Sequence, residues 1–378
     1  MSSRQLFFLA IIAMPAYKLA MLPSYMASLS GRDMWLVALC MMLLDVGVLC
    51  MIYIVKSRVG KLNFENKVLK IVSKVIAMLF CVYFLLQVSL LSVETIEYTH
   101  QSFFDGVDRF QMILPLILVA VYLAYKGEKT LGRCSDIFIW GVALTVGISI
   151  VFNSASLDIN LLFPVLDENG GERLLSGYNV FLWFGDYLPL LFIDIKDRKT
   201  KSSSPVVFGA LGLALSISLV FAVFTMQWGE STKEVPNAFA RLAGYNFISP
   251  DVGKADWIAI LNWIGSCAIK LGLLFLGAVN AFSYVFGKNT RKIFSISIFI
   301  LVSAVVHFFI KDIKVEYDVG AGVRFIGFIM NLVVPFILCA MASLSKKTVV
   351  EKVDKSPTLY VTDDDYMDEK GANVCANC

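Results

Sequence analysis

Charged residues are scarce in this sequence. They make up 17% of its 378 residues, whereas hydrophobic residues make up 58% and the mean hydropathy is +0.73. Soluble proteins contain about 25% charged residues, and soluble domains of this total length could not bury so much apolar surface. The net charge of +3 is also too small to indicate a nucleic-acid partner. The composition therefore predicts a polytopic membrane protein whose surroundings are the lipid bilayer.

The sequence also lacks the patterns that are typical of disulfide frameworks, metal sites and enzyme active sites. None of the eight cysteines falls in a predicted outer loop, so we expect no disulfide framework. Cys375 and Cys378 end the chain as one C-x-x-C pair without a neighbouring histidine, which is typical of reduced thiols rather than of a zinc site. There is no glycine-rich phosphate loop, no cluster of metal ligands and no nucleophile–base pair at motif spacing. We therefore expect no enzymatic activity, no metal and no cofactor.

Long apolar stretches dominate the rest of the chain. A membrane-spanning helix needs about 20 mostly apolar residues. Ten stretches meet or approach this length: residues 5–27, 34–55, 71–91, 112–125, 137–152, 178–195, 206–228, 257–286, 293–310 and 325–344. They predict an all-α fold of about ten transmembrane helices in one permease-like domain, residues 1–345. The polar remainder, residues 346–378, is predicted to be a disordered cytoplasmic tail.

Lysine and arginine are distributed unequally between alternate loops. With the N-terminus inside, 22 of the 33 fall in cytoplasmic segments, 9 in outer loops and two within spans. Cytoplasmic loops of membrane proteins carry an excess of Lys and Arg. The sequence therefore predicts that both termini lie inside, which requires an even number of spans.

Two of the predicted spans are interrupted. The first contains Pro15, which lacks a backbone donor and should kink or break the helix. The sixth contains Gly185, Asp186 and Pro189 within five positions. Spans one and six are corresponding members of two five-helix halves, residues 1–155 and 156–345. Because five is odd, the two halves must be inverted relative to each other.

Interruptions at matching positions of two halves point to a binding site near the middle of the membrane. Unwound backbone leaves N–H and C=O groups that lipid cannot satisfy, so these groups must face a polar cavity or a ligand. The alternative is that both kinks are only architectural. Tyr83 and Gln87 are four residues apart on the third helix and can reach the same chamber. The candidate ligand-binding residues are Met14, Pro15, Ala16, Tyr17, Lys18, Tyr83, Gln87, Gly185, Asp186 and Tyr187.

Four ionisable residues fall within the spans. They are Lys18, Asp45, Asp186 and Lys270. A charge at the bilayer centre costs about 2.5–3.5 kcal/mol on insertion scales, so these side chains should face the protein interior. They either form structural ion pairs, such as Lys18 with Asp45 or Asp186, or line a polar chamber in which a lysine carries a proton or replaces a bound cation. The two interpretations are compatible, and all four residues are candidates for ion or proton coupling.

Glu94, Glu97 and His100 are spaced three apart where the third helix leaves the membrane, so they share one face. They line an outer vestibule or, as we expect, a solvated helix end.

Three stretches of the chain resemble the endospore-germination permease family, the membrane B subunits of nutrient germinant receptors. They are Gln5-Leu6-Phe7-Phe8 with Leu22-Pro23 and Gly31-Arg32-Asp33-Met34-Trp35; Gly127-Glu128-Lys129-Thr130-Leu131-Gly132-Arg133; and Asn160-Leu161-Leu162-Phe163-Pro164-Val165-Leu166 with Phe184-Gly185.

The resemblance implies the amino acid–polyamine–organocation superfamily. Its fold is a LeuT-type five-plus-five inverted repeat of ten helices, with helices one and six unwound around the ligand. It further implies a nutrient ligand, often an amino acid, the inner spore membrane, and A and C subunits as partners. The sequence departs from the family in having Pro15-Ala16-Tyr17-Lys18 where relatives have a glycine-rich turn.

The leading hypothesis is a membrane protein that binds a small nutrient at residues 14–18 and 185–187 and signals germination. An amino acid carboxylate would accept hydrogen bonds from backbone N–H groups at the start of the outer half of span one, where the helix dipole favours an anion. Lys18 would reinforce this attraction. The main alternative is a proton-coupled amino acid transporter in which Lys18 or Lys270 titrates. A third is a structural scaffold for partner subunits, with an inert chamber.

Overall fold

α-Helices make up most of the chain in this computed structural model. It describes residues 3–13, 15–19, 22–60, 66–103, 106–166, 170–193, 204–235, 241–242, 247–249, 253–254, 256–287 and 321–344, with the single positions 62, 64, 297, 301, 302 and 304. The ninth predicted span, 293–310, therefore lies mostly outside the described residues, and the predicted tail, 346–378, lies wholly outside them.

The helices of the first part of the chain are α1 (Ser3–Ala13), α2 (Pro15–Lys18), α3 (Leu22–Ser30), α4 (Met34–Val59), α5 (Lys67–Phe103), α6 (Arg109–Lys126) and α7 (Glu128–Asn153). Those of the second part are α8 (Gly170–Leu175), α9 (Ser204–Trp228), α10 (Asp256–Phe286), α11 (Ala321–Phe328) and α12 (Val334–Leu344). Short 3-10 segments occupy Gly31–Asp33, Ser154–Ser156, Ile159–Leu162, Ser176–Trp183, Leu188–Phe192 and Gly229–Glu234. A π-helical segment, Ile329–Val333, joins α11 to α12, and β1 (Phe247–Ser249) pairs antiparallel with β2 (Gly253–Lys254).

Five helical stretches among the described residues are long and apolar enough to cross a membrane. They are Leu22–Val59, Lys67–His100, Val206–Glu234, Leu261–Phe286 and Gly322–Leu344. A bilayer core is the solvent that such stretches require. The protein is an integral membrane protein.

Helix α5 has one apolar face directed outward and one directed into the protein. Its exposed apolar side chains recur every three or four residues, which places them on one face: Val68, Ile71, Val75, Leu79 and Val82. Its buried side chains lie on the other face and include Ile76, Phe80, Tyr83, Phe84 and Gln87. An apolar stripe exposed over this length is the expected surface of a lipid-facing helix.

The helices pack around α10, which contacts α5, α6 and α7. Helix α4 packs between α9 and α12, and α1 packs against α7, α9 and α10. This arrangement buries one continuous apolar core, and it brings the start of the chain next to α10. The short helix α2, all of whose side chains are buried, contacts α10 directly.

The helical backbone departs from a regular α-helix at both places that the sequence predicts to be interrupted. The first is near Pro15, which begins the single turn of α2, a position where its missing N–H breaks no hydrogen bond. The second lies between the 3-10 segments Ser176–Trp183 and Leu188–Phe192. Here Gly185 has φ +90°, a conformation that L side chains rarely adopt. A Cβ at this position would also overlap the side-chain amide of Asn331.

Polar contacts close one end of the molecule around the Gly31–Asp33 turn. Arg32 donates to the Phe163 carbonyl over 2.6 Å and pairs with Glu230 at 2.9 Å. Asp33 pairs with Arg173 at 2.9 Å and accepts from the Leu166 N–H. We call this the Arg32 end. Helix α4 starts there.

Replacing Gly327 with Ala should destabilise the protein, because the new Cβ would lie 3.1 Å from the backbone nitrogen of Leu182. Overpacking against backbone that cannot yield costs about 1–3 kcal/mol. We expect a lower thermal unfolding temperature of the purified protein in detergent.

Gly322→Ala is the matched control on the same helix, since a Cβ there meets nothing within 4 Å. We expect it to be neutral or slightly stabilising. Equal unfolding temperatures for the two variants would contradict the close approach of α11 to the Ser176–Trp183 segment.

Candidate ligand-binding site

Asp186 lies between two buried lysines. Its Oδ2 pairs with Lys18 of α2, and its Oδ1 pairs with Lys270 of α10 at 2.6 Å. All three side chains are at most 5% exposed. One carboxylate of the interrupted segment thus links the two helices that pack beside it.

Asp45 of α4 completes the cluster from the other side. Its Oδ2 lies 3.5 Å from Lys18 Nζ, and its Oδ1 accepts a 2.7 Å hydrogen bond from the backbone N–H of Gly185. That N–H belongs to the residue whose positive φ interrupts the helical backbone. A carboxylate therefore satisfies a donor that a regular helix would have paired with its own backbone.

The side chain of Asn331 satisfies carbonyl groups of the interrupted segment around Gly185. It lies in the π-helical segment between α11 and α12, and its side-chain N–H₂ donates to the carbonyls of Phe181 and Phe184. Its Oδ1 accepts from Tyr83 over 2.7 Å, and Gln87 donates to the Tyr83 hydroxyl over 3.1 Å. Local π-helix is frequent at functional sites because it displaces a side chain from its regular position.

One aromatic ring faces each ammonium group. Lys18 Nζ lies 4.5 Å from the centre of the Phe184 ring, and Lys270 Nζ lies 5.2 Å from that of Tyr17. The Tyr17 hydroxyl accepts from Thr95 over 3.0 Å. Ring faces attract cations most strongly where water is excluded, so the rings stabilise charges that burial would otherwise penalise.

The four charged side chains sum to zero net charge. Removing each ion from water costs several kcal/mol, and mutual attraction recovers this only with good geometry and further hydrogen bonds. Here the second carboxylate, the Gly185 N–H and two aromatic rings supply them. The structure thus brings together the four residues selected in the sequence for ion or proton coupling.

The other candidate residues from the sequence lie around this cluster. Pro15, Ala16 and Tyr17 are buried in α2, where the Ala16 carbonyl accepts from Cys267. Tyr187 is 1% exposed and follows Asp186. Met14 lies outside the described residues.

Two participants were not selected in the sequence. Asn331 is a neutral residue in an otherwise apolar stretch, and nothing in its spacing indicated that it faces the interruption. Glu94 was expected at a solvated helix end, which is wrong: it is 8% exposed and accepts a 3.1 Å hydrogen bond from the indole of Trp183. Glu97, also 8% exposed, pairs with Arg109 of α6 at 3.0 Å. This part of α5 is covered by Trp183 and α6 and not by water.

The chemistry available at the site is that of charge pairing and hydrogen bonding. It offers ammonium groups, carboxylates and peptide groups in a region from which water is largely excluded. In the part of the chain that the structure describes, no three His, Cys, Asp or Glu side chains are placed to hold a metal ion. Such groups can pair with charges of opposite sign or exchange a proton between a lysine and a carboxylate.

The fold and the site define a class: a helical integral membrane protein with a neutral cluster of buried charges beside interrupted helical backbone. A family model described as spore germination protein matches residues 1–314. The chain belongs to this family, which confirms the resemblance found in the sequence.

A curated relative is the "Putative spore germination protein YfkT" of Bacillus subtilis (strain 168). It is 25% identical over 233 residues, which cover 59% of this chain and 62% of that protein. The match therefore spans less than two thirds of the relative's length.

Asp186→Asn should destabilise the protein by about 3–5 kcal/mol, because it leaves two buried lysines with one remaining carboxylate. Unfolding of the purified protein by heat or denaturant measures this loss. The control is Asp136→Asn, a less buried carboxylate (22% exposed) whose pair with the exposed Arg4 is 3.5 Å long and is expected to contribute about 0–1 kcal/mol.

The double variant Asp186→Asn with Lys270→Met restores charge balance in the cluster and should recover part of the lost stability. If Asp186→Asn were no more damaging than Asp136→Asn, the four charges would not form the buried network described above.

Proposed function

We propose that this protein is the membrane subunit of a spore nutrient-germinant receptor. It binds a small nutrient of the amino acid class at the interruptions around residues 14–18 and 185–187, and binding triggers germination. The observation that carries this proposal is the neutral, buried cluster of two lysines and two aspartates beside interrupted backbone. Membership of the spore germination family gives that site its biological setting.

The proposed architecture is a LeuT-type repeat of ten membrane helices, with halves at about residues 1–155 and 156–345. The interruptions near Pro15 and at Gly185 then occupy the first helix of each half. Their polar surroundings support this, because backbone groups that leave helical pairing inside a membrane must find partners in the protein or in a ligand. Asp45 and Asn331 are such partners for the second interruption.

The proposed orientation has both termini inside, which makes the Arg32 end the outer face. The distribution of Lys and Arg between alternate loops supports it. The proposed location is the inner spore membrane, and the proposed partners are the A and C subunits of the receptor.

In this proposal the buried charges that recognise the nutrient are also the charges whose pairing changes when the signal is given. In this proposal the carboxylate of an amino acid lies at the start of α3, where the helix dipole favours an anion. Lys18 precedes this helix and is held by Asp186 and Asp45. A ligand carboxylate that attracts Lys18 weakens these pairs, and the interrupted segment that carries Asp186 is then free to move relative to α2.

A proton-coupled amino acid transporter is the second candidate. It is favoured by the complete burial of Lys18 within ion-pair distance of two carboxylates, which is the arrangement needed to pass a proton between them. Reconstituted protein would then accumulate labelled amino acid under a proton gradient, and Lys18→Met would alter the pH dependence of uptake. Absence of flux across a broad amino acid panel would exclude transport.

Deleting the gene should abolish or strongly slow germination of spores towards one nutrient or nutrient class, because a receptor recognises its own ligand. Germination towards other nutrients and vegetative amino acid uptake should be unchanged. Loss of spore refractility after single-nutrient addition measures the effect, and restoring the intact gene serves as the control.

Unchanged germination towards every nutrient tested would contradict the receptor proposal. A matching loss of vegetative uptake would favour the transporter instead.

A further inference from the structure

Glu94 has an unsatisfied carboxylate oxygen inside the protein. The side chain is 8% exposed, and Oε2 accepts from the Trp183 indole over 3.1 Å. Oε1 is buried and has no hydrogen-bond partner among the described residues. Gln87, two helical turns earlier on the same face of α5, also has a side-chain oxygen that is buried without a partner in this part of the chain. Buried polar groups are nearly always paired, so such atoms call for an explanation.

The neighbouring cations are already engaged elsewhere. Arg109 pairs with Glu97 at 3.0 Å, and Lys270 pairs with Asp186 at 2.6 Å. Lys270 is near enough to act on Glu94 electrostatically, which places this carboxylate beside the buried cluster, but no Lys or Arg described by the structure forms an ion pair with it. The site therefore has an acceptor oxygen with which no Lys or Arg among the described residues forms an ion pair.

Aromatic rings flank this acceptor. The Trp183 ring packs against that of Tyr25, with 5.5 Å between their centres. Tyr25 lies in the first turn of α3, the helix whose start we have proposed as the carboxylate site. Carboxylates and aromatic ring faces are the groups that bind organic ammonium ions in proteins.

We propose that Glu94 binds the amino group of the nutrient. Oε1 accepts a hydrogen bond from the ammonium group, Trp183 holds the carboxylate through Oε2, and Tyr25 and Trp183 cover the cation. With the ligand carboxylate at the first turn of α3, the two ends of the site select α-amino acids with a free amine. This inference rests on the proposed function, which it makes more specific.

Purified full-length protein in lipid nanodiscs provides the test. Thermal unfolding is measured with a series of concentrations of each proteinogenic amino acid. For every amino acid that stabilises the protein, the matching des-amino acid and N-acetyl amino acid are measured in the same way. The proteins compared are wild type, Glu94→Gln, and the control Glu97→Gln, which changes a carboxylate one turn further along α5 that already has a cation.

We expect free amino acids, but not their des-amino or N-acetyl forms, to stabilise the wild type. Loss of a hydrogen bond to a charged group should weaken the response at least about tenfold in Glu94→Gln. The response of Glu97→Gln should match that of the wild type. Trp183→Phe keeps the ring but removes the N–H that holds Oε2, and it should weaken binding without abolishing it.

Equal affinity of Glu94→Gln and wild type for the stabilising amino acid would overturn the inference and leave the proposed function intact. Equal stabilisation by N-acetyl and free amino acids would overturn it as well. If no amino acid stabilises the wild type, the amino acid part of the proposed function fails.

Thermal unfolding measured with ethylammonium chloride and with sodium propionate then tests the ammonium site separately from the carboxylate site. Stabilisation by ethylammonium that depends on Glu94 supports an ammonium site, and stabilisation that is absent or independent of Glu94 overturns it.

Discussion

The pairing of Asp186 with two lysines is the interaction on which the interior of this protein depends. An unpaired charge is expensive inside a membrane protein, and two lysines around one carboxylate would leave an excess positive charge. Asp45 supplies the fourth charge and brings α4 into contact with the interrupted segment. The positions of α2, α4, α10 and the residues around Gly185 are therefore constrained by the same charge balance.

The backbone N–H and C=O groups at the interruption also need partners, as the buried charges do. A regular helix satisfies its own N–H and C=O groups, whereas the segment from Phe181 to Gly185 depends on side chains from distant parts of the chain. Asn331 uses both of its amide N–H bonds for carbonyls and its oxygen for Tyr83. Under the proposed function, a ligand would compete with these partners for the same groups, and the interior would respond to its binding.

The sequence predicted the membrane environment and the residues of the charged cluster for one physical reason. An ionisable residue within an apolar stretch is costly unless it is paired, so Lys18, Asp45, Asp186 and Lys270 were conspicuous. The pairing itself was only partly predicted: Lys18 was expected to pair with Asp45 or Asp186, whereas both pairs form and Lys270 also joins Asp186. Which helix faces lie together depends on tertiary packing, which periodicity alone does not encode.

Asn331 and Glu94 show the limits of sequence reasoning more sharply. A neutral amide carries a small penalty in an apolar stretch, so Asn331 gave no signal until its contacts with Phe181 and Phe184 were visible. Glu94 lies near a predicted helix end, where a charged residue is ordinarily solvated. Only the position of Trp183, which covers it from another segment, reveals that it is buried.

The most direct test of the central claim, that the interrupted segments form the nutrient site, is photochemical labelling. Purified protein in nanodiscs would be irradiated with a diazirine-bearing amino acid, digested and analysed by mass spectrometry, with excess natural amino acid as competitor. The account predicts competed adducts on peptides containing Pro15–Lys18, the end of α5, or residues 183–187. Adducts confined to other segments, or adducts that the natural amino acid does not compete, would contradict it.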